Sequence, residues 1–327
     1  MHNNFKIQLN NIQAGESRPK SVPKSSVQKL GILGSGLMGH GICYVAAITG
    51  IEVSMIDVTI KKAQKGLNKI ESILKDAQNK GLITKNKKIE VLNRITISDD
   101  YRFLQECDLI IEAVFEDRLL KSKVNNLAEK FMDANCIFAS NTSTIPLKVL
   151  SQKLSSVDKK DFCITHFFNP VRYMDLLEIV KSENNDLNKI NSLKKFCEIS
   201  LGKGAIVCND TPGFLGNRIG VFAMQVAMTE AFKMKMSIEE ADAVFGRPMG
   251  IPKTGVFGLY DLIGIDLMAD VLKSFIKELP ESDEFQEVAK EIPLVKKLIE
   301  TGYTGRKGKG GFYRMNKVEN KKILEAI

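Results

Sequence analysis

Three histidines occur in the 327 residues, and one of them stands where an imidazole can do acid–base work. His2 lies in a polar leader and His40 in a glycine loop. His166 ends the apolar run Phe162–His166, which is followed by the turn signal Asn169-Pro170 and a second apolar run, Leu176–Val180. Positions 166 and 178 are symmetric about 172, so a chain that doubles back at Arg172 sets Glu178 opposite His166 in an antiparallel register. Such a pair is a general base and its orienter: the carboxylate accepts one ring N–H, and the other nitrogen takes a proton near neutral pH. In isolation the pair reads more readily as a satisfied structural histidine in a hairpin.

A second constellation precedes it. Val27–Leu33 is a short apolar strand that runs into Gly34-Ser35-Gly36-Leu37-Met38-Gly39, and Gly41–Ala47 is helix-compatible. Strand, glycine loop and helix in that order form a dinucleotide fingerprint. The first glycine permits the tight turn, the second lets backbone approach a pyrophosphate, and the third lets helix and strand pack closely. The helix N-terminus presents unpaired N–H groups to the phosphates. The next strand, Glu52–Ile56, ends in Asp57, which stands 23 residues after Gly34 and is placed to accept bonds from ribose hydroxyls. Its carboxylate repels a 2′-phosphate, so the cofactor expected is NAD rather than NADP.

The elements needed to position these groups are legible. Helical stretches at Ile60–Lys80 and Lys85–Arg94 are followed by strands at Ile95–Ile97, Leu109–Ala113, Cys136–Ser140, Phe162–His166, Leu176–Val180 and Ala205–Cys208. Strand and helix alternate at βαβ spacing, which predicts an α/β fold with a parallel, doubly wound Rossmann-type sheet over residues 27 to 208. The character changes at about residue 209. Asp210-Thr211-Pro212 offers a cap followed by a proline, so a long apolar-rich helix is expected over Gly213–Lys233. Ser237-Ile238-Glu239-Glu240 is a capping box, and Asp266–Glu278 and Val295–Thr301 continue in helical register. Residues 209 to 327 therefore read as a smaller all-α domain. Residues 1 to 26 read as a disordered leader or linker.

Composition narrows the classes. Hydrophobic residues make up 44% and charged ones 26%, as in ordinary globular chains. The net charge is 47 − 39 = +8, of which Lys6, Arg18, Lys20 and Lys24 against Glu16 put +3 in the leader. The remainder lacks the interleaving of basic and aromatic residues that a nucleic-acid binder carries. Six cysteines are scattered through apolar stretches, with no CxxC pair and no metal-ligand cluster. They fit a reducing, cytoplasmic setting, or the mitochondrial matrix if the leader is a presequence. No apolar run is long enough to span a bilayer.

Taken together, the glycine fingerprint, Ile111-Glu112-Ala113-Val114-Phe115-Glu116-Asp117, Ala139-Ser140-Asn141-Thr142-Ser143-Thr144, the His166 segment, Asp210-Thr211-Pro212-Gly213-Phe214 with Asn217-Arg218, Arg247-Pro248-Met249-Gly250-Ile251-Pro252 and Lys307-Gly308-Lys309-Gly310-Gly311-Phe312-Tyr313 resemble the 3-hydroxyacyl-CoA dehydrogenase family of fatty-acid β-oxidation. The resemblance runs from about Val27 to Arg314. It implies NAD-dependent oxidation of (S)-3-hydroxyacyl-CoA, with His166 as base and Glu178 as its partner. Ser143 and Asn217 fall on substrate-contacting positions near the reacting carbon. Glu116, Lys121 and Asn169 fall on positions lining the nicotinamide end of the cofactor site. Lys65 and Lys69, on the helix after Asp57, are candidates to meet CoA phosphates. Each residue alone has an ordinary reading too: Ser143 as a helix N-cap, Asn217 as a surface amide, Glu116 as a turn residue, and Lys65, Lys69 and Lys121 as solvated lysines.

The chain departs from the family pattern at Gly216 and Gly220, where bulkier apolar residues are commoner, and at His40, where a small residue is. The run Arg247–Phe257 and the Pro-containing leader resemble dehydrogenases embedded in multifunctional proteins, so an enoyl-CoA hydratase or thiolase is an expected partner, though no hydratase-like region exists here. The alternatives are a related dehydrogenase of a free hydroxy acid or sugar acid, and a non-catalytic interaction module that kept the fold. The helix at Gly213–Lys233 is apolar on more than one face, which calls for a homodimer formed by residues beyond about 209.

Overall fold

The structure, a computed structural model, describes residues 26–152, 154, 159–250, 254–316 and 321–323. The expected leader, apart from Ser26, lies outside the described residues, as do Ile251 and Pro252 of the Arg247–Pro252 run. Two compact units are present, Met1–Phe214 and Leu215–Ile327.

The first unit runs β1 (Lys29–Leu33), α1 (Leu37–Ile48), β2 (Glu52–Ile56), α2 (Ile60–Asn79), α3 (Lys85–Asn93), β3 (Ile95–Ser98), β4 (Leu109–Glu112), α4 (Arg118–Ala128), β5 (Ile137–Ser140), α5 (Leu147–Ser151), β6 (Phe162–Phe167), β7 (Leu176–Lys181), α6 (Leu187–Lys195) and β8 (Gly204–Asn209). The eight strands form one sheet in the order β3-β2-β1-β4-β5-β6-β7-β8. Strand order reverses between β1 and β4, the kind of crevice in which α/β sheets bind ligands. The sheet is parallel except where β7 turns back against β6, after which β8 runs parallel to β7.

Burial explains why these strands are apolar runs rather than alternating patterns. Helices cover both faces, so Leu30, Ile32, Leu109, Ile111, Cys163 and Phe167 pack on one side and Leu33, Ile110, Phe138, Phe162 and Ile164 on the other. α1 is buried almost all round, from Ile42 to Ile48. α2 instead presents Ala63, Gly66, Ile70 and Leu74 to the sheet, each about one turn from the last, and its lysines to solvent. Fully burying side chains such as Ile70 and Leu74 contributes about 1.5–3 kcal/mol each.

The second unit is mainly helical: α7 (Gly216–Lys233), α8 (Ile238–Val244), α9 (Gly255–Ile263), α10 (Ile265–Glu278), α11 (Phe285–Val288) and α12 (Pro293–Glu300), with a short antiparallel ribbon of β9 (Arg314–Asn316) and β10 (Lys321–Ile323). Ser237 caps α8 through the capping box expected from the sequence. The glycine-rich segment that ends in Phe312-Tyr313 is held by carboxylates: Asp261 accepts from the amides of both residues, and Asp242 accepts from the Tyr313 hydroxyl. Among the described residues no helix is long and apolar enough to cross a membrane.

One local expectation fails. Asp210-Thr211-Pro212 does not open the long helix, which begins at Gly216 after Leu215 with no side-chain cap. The Asp210 carboxylate accepts instead from the amides of Leu147 and Lys148, at 2.8 and 2.9 Å, and so caps α5 across the sheet. Asp210 is a cap, as its residue type suggests, but for a helix whose first residue lies 63 positions away in sequence.

Candidate active site

His166 and Glu178 stand opposite each other in the antiparallel register of β6 and β7. Both are closed to solvent, at 3% and 0% exposure. His166 Nδ1 lies 2.6 Å from Glu178 Oε2. An ionised carboxylate only accepts hydrogen bonds, so Nδ1 donates to Glu178, and in the neutral ring Nε2 is left with a lone pair. That lone pair faces Ser143 Oγ at 3.1 Å. The imidazole is flanked by two aromatic rings, Phe168 at 4.5 Å and Phe214 at 5.6 Å between centroids. The Cys208 thiol contributes a weak, 4.0 Å hydrogen bond to the other oxygen, Glu178 Oε1. Burial pushes that thiol up to about 11.

Ser143 sits on the loop between β5 and α5, and Glu116 holds that loop. Its Oε1 accepts from Thr142 Oγ1 at 2.5 Å and from the Ser143 amide, the Thr144 amide and Thr144 Oγ1, each at 3.0 Å. Burial works to raise the Glu116 carboxyl, but the Lys121 charge and these bonds outweigh it and hold it below the usual carboxylate range. Lys121 is itself 1% exposed. Its Nζ pairs with Glu112 at 2.7 Å and Glu116 at 3.3 Å. Glu112 also accepts from Ser140 Oγ at 2.6 Å and from the Val114 amide at 2.8 Å. Glu116 and Lys121, expected at the nicotinamide end of a cofactor, are therefore both engaged in the scaffold of the Ser143 loop.

The glycine loop fits a dinucleotide, each glycine for its own reason. Gly34 has φ +96° and stands against the Ala113 backbone. A β-carbon at Gly39 would lie 1.8 Å from the Gly34 carbonyl, so no other residue fits. One at Gly36 would meet nothing within 4 Å. The N-terminus of α1, which no side chain caps, thus opens onto clear space suited to a pyrophosphate. Beside it Leu37 is exposed and Met38 half-buried. Asp57, at the end of β2, is half-buried. Its Oδ2 accepts from the Ser35 amide at 2.8 Å and from Ser35 Oγ at 2.6 Å, which locks the carboxylate to the loop. His40 Nδ1 donates to the Gly36 carbonyl at 2.5 Å. Burial lowers its imidazole most, the Gly36 bond opposes this, and the Lys69 charge lowers it further.

The remaining candidates are more dispersed. Asn169 is exposed in the turn between β6 and β7, next to Pro170 in a cis peptide. That turn is pinned by Lys203, a buried lysine that sequence reasoning missed, whose Nζ donates to the Val171 and Met174 carbonyls at 2.5 and 2.7 Å. Lys65 and Lys69 are exposed one turn apart on α2. Asn217 belongs to the second unit, half-buried on the first turn of α7. Glu112, Asn141, Phe168, Phe214 and Asp210 were also missed as contributors. A charged residue closing the apolar run Leu109–Glu112 was the one available signal for Glu112. Asn141 Oδ1 ties the two strand ends together by accepting from the Phe167 amide at 2.9 Å.

Comparisons with known proteins show the family. Residues 29–211 match the family model described as 3-hydroxyacyl-CoA dehydrogenase, NAD binding domain, and residues 213–315 the C-terminal domain of the same family. The chain is 37% identical, over 307 residues, to a Rickettsia felis protein provisionally named a fatty acid oxidation complex trifunctional enzyme, covering 93% of this chain and 42% of the relative. It thus spans less than half the length of that relative. It is 30% identical, over 297 residues, to a Deinococcus radiodurans protein provisionally named a 3-hydroxyacyl-CoA dehydrogenase, covering 90% and 84%. The crystal structure of (S)-3-hydroxybutyryl-CoA dehydrogenase from Ralstonia eutropha superposes with a TM-score of 0.81 at 31% identity, over 89% of this chain and 100% of that one. The chain belongs to the 3-hydroxyacyl-CoA dehydrogenase family, a family of NAD-dependent oxidoreductases.

Proposed function

We propose that this chain catalyses the reversible NAD-dependent oxidation of (S)-3-hydroxyacyl-CoA to 3-oxoacyl-CoA as a step of fatty-acid β-oxidation. The observation that carries the reading is the hydrogen-bonded series from Ser143 Oγ through the His166 ring to Glu178. It ends in a lone pair on Nε2 with a hydroxyl already bound to it, and a substrate hydroxyl can take that place. Gly34, Gly36, Leu37, Met38, Gly39, Asp57 and Asn169 would hold NAD, which would supply the hydride acceptor.

The protein's own part is proton transfer and alignment. His166 Nε2 takes the proton of the C3 hydroxyl as the C–H bond breaks, and Glu178 balances the imidazolium that forms. Ser143 Oγ donates to the same oxygen, which fixes C3 before reaction and stabilises the carbonyl developing there. Asn217 is assigned the thioester oxygen, and Lys65 and Lys69 the CoA phosphates. Glu116 and Lys121 act through the Ser143 loop. The enzyme is read as a homodimer through its helical unit, with an enoyl-CoA hydratase or thiolase as functional partner.

The test is NADH formation with (S)-3-hydroxybutyryl-CoA and a long-chain homologue, set beside free 3-hydroxybutyrate. Turnover of the CoA ester with NAD is expected. Turnover confined to the free acid would replace this reading with that of a hydroxy-acid dehydrogenase.

A further inference from the structure

The segment Asp210–Phe214, which closes the first unit, bends through two residues of left-handed backbone: Gly213 at φ +73° and Phe214 at φ +51°. The second is a conformation that a bulky side chain adopts only when its surroundings impose it. Here they do. The Phe214 amide donates to the Thr211 carbonyl at 2.8 Å, and Thr211 Oγ1 donates to the Phe214 carbonyl at 3.3 Å. The bend turns the Phe214 ring inward, where it is 4% exposed and meets the His166 ring edge-on at 5.6 Å and 62°. The other end of the same segment reaches the opposite partner. Asp210 caps the first turn of α5, the helix that begins four residues after Ser143. One five-residue turn therefore touches both sides of the Ser143–His166 hydrogen bond.

We propose that this turn is a brace for the candidate base, with Phe214 as a positioning residue that fixes the tilt of the His166 ring and Asp210 as the tie to the Ser143 side. The inference rests on the reading of His166 as the base. The Glu178 and Ser143 bonds hold the imidazole at its two nitrogens, and neither of them stops the ring from rocking about the line that joins them. Phe168 and Phe214 remove that freedom, so Nε2 faces Ser143. The same aromatic wall keeps water from competing for Nε2 and from hydrating the imidazolium. The strained backbone at Phe214 is then maintained because a relaxed conformation would point the ring elsewhere.

The experiment compares the full chain with Phe214→Ala and Phe214→Leu by steady-state kinetics across pH, and follows the His166 ring by NMR. With three histidines in the chain, its signal is identified by its loss in His166→Gln. For Phe214→Ala, kcat should fall by roughly 10- to 100-fold, as small misplacements of a reacting group do, while the KM for NAD changes little. The rise of kcat with pH should move to higher pH, and the His166 resonance should titrate later by the same amount, because water now hydrates the protonated ring. Phe214→Leu, which keeps an apolar wall, should recover most of both effects, and it carries the test if the alanine variant does not fold. An unmoved pH profile and unmoved His166 titration, with both variants losing activity alike, would reduce Phe214 to a structural residue and overturn the proposal. A wild-type chain without turnover on any 3-hydroxyacyl-CoA would sink the proposed function alone. The NMR titration would then still decide the brace.

Discussion

Lys121 Nζ and Glu112 Oε1 form an ion pair of 2.7 Å in which the two side chains are 1% and 0% exposed. A buried pair of this kind contributes little over an apolar replacement, but breaking it by removing one partner strands a charge in the interior. The Lys121→Met variant leaves Glu112 without its counter-charge, and also removes one of the groups that keep Glu116 ionised. It should cost about 3–5 kcal/mol, the range for a buried charge left alone, read as a lowered Tm and denaturation midpoint. The double variant Lys121→Met, Glu112→Gln should recover a large part of the loss. A single variant as stable as the wild type would show that losing Lys121 strands no charge in the interior.

The candidate base gives a sharper expectation. His166→Gln should lower kcat by about two to four orders of magnitude, the usual contribution of a general base, with the Kd for NAD little changed. Glu178→Gln keeps an acceptor for Nδ1–H but removes the charge that stabilises the imidazolium. Turnover should fall, and its rise with pH should move to lower pH. Near-normal turnover in the first variant removes His166 from the mechanism.

Glu116 offers a pH test with a definite sign. Its carboxyl is held below the usual range in the folded protein, so the folded state prefers the ionised form. The stabilisation it brings is complete above the ordinary carboxylate range and is lost as pH falls through the depressed folded value. Urea unfolding followed from neutral to acid pH should show the wild type losing more stability than Glu116→Gln. Parallel curves for the two proteins would mean that the bonds from Thr142, Ser143 and Thr144 do not favour the charged form.

How far these groups were legible in the sequence depended on the range of their contacts. The His166–Glu178 register followed from symmetry about Arg172, because strands joined by a short connection pair residues that are near in sequence. The glycine loop and Asp57 were legible because backbone sterics and a fixed strand–turn–helix spacing dictate them. Asp210 and Lys203 were not, since each carries a residue type common on surfaces and finds its partner only after the sheet is assembled. Phe214 read as one more apolar residue of a helix. Its role follows from a left-handed backbone that no periodicity announces.

Asp57 is expected to decide between NAD and NADP, because a carboxylate accepts from ribose hydroxyls and repels an added phosphate. Ser35 donates twice to its Oδ2, so its position is already set by the loop. Asp57→Asn retains an oxygen for those bonds while losing the charge, and Asp57→Ala loses both. The NAD over NADP preference in kcat/KM should narrow in both variants, mainly through the KM for cofactor, and the alanine variant should also bind NAD less well. A wild-type chain that uses NADP as well as NAD would show the assignment to be mistaken.

The last prediction concerns assembly. On α7 the residues Val221, Met224, Ala227, Met228 and Ala231 are buried within the helical unit. Within that unit Leu215, Ile219, Phe232 and Met234 remain exposed, with Phe222 and Val226 half-buried beside them. Leu215, Ile219, Phe222 and Val226 recur at three- and four-residue spacing, so they lie along one stripe of the helix and its entry. An apolar stripe left in water forgoes about 25 cal/mol for each Å² it could bury, and two-fold pairing of identical chains is the commonest way to recover it. The full chain should therefore scatter light as a dimer at micromolar concentration, and Ile219→Glu should shift it to a monomer while its far-UV circular dichroism is retained. A wild-type monomer with full activity would overturn the dimer. A wild-type monomer without activity that gains turnover when an enoyl-CoA hydratase or thiolase is added would mean that a partner of that kind covers the stripe.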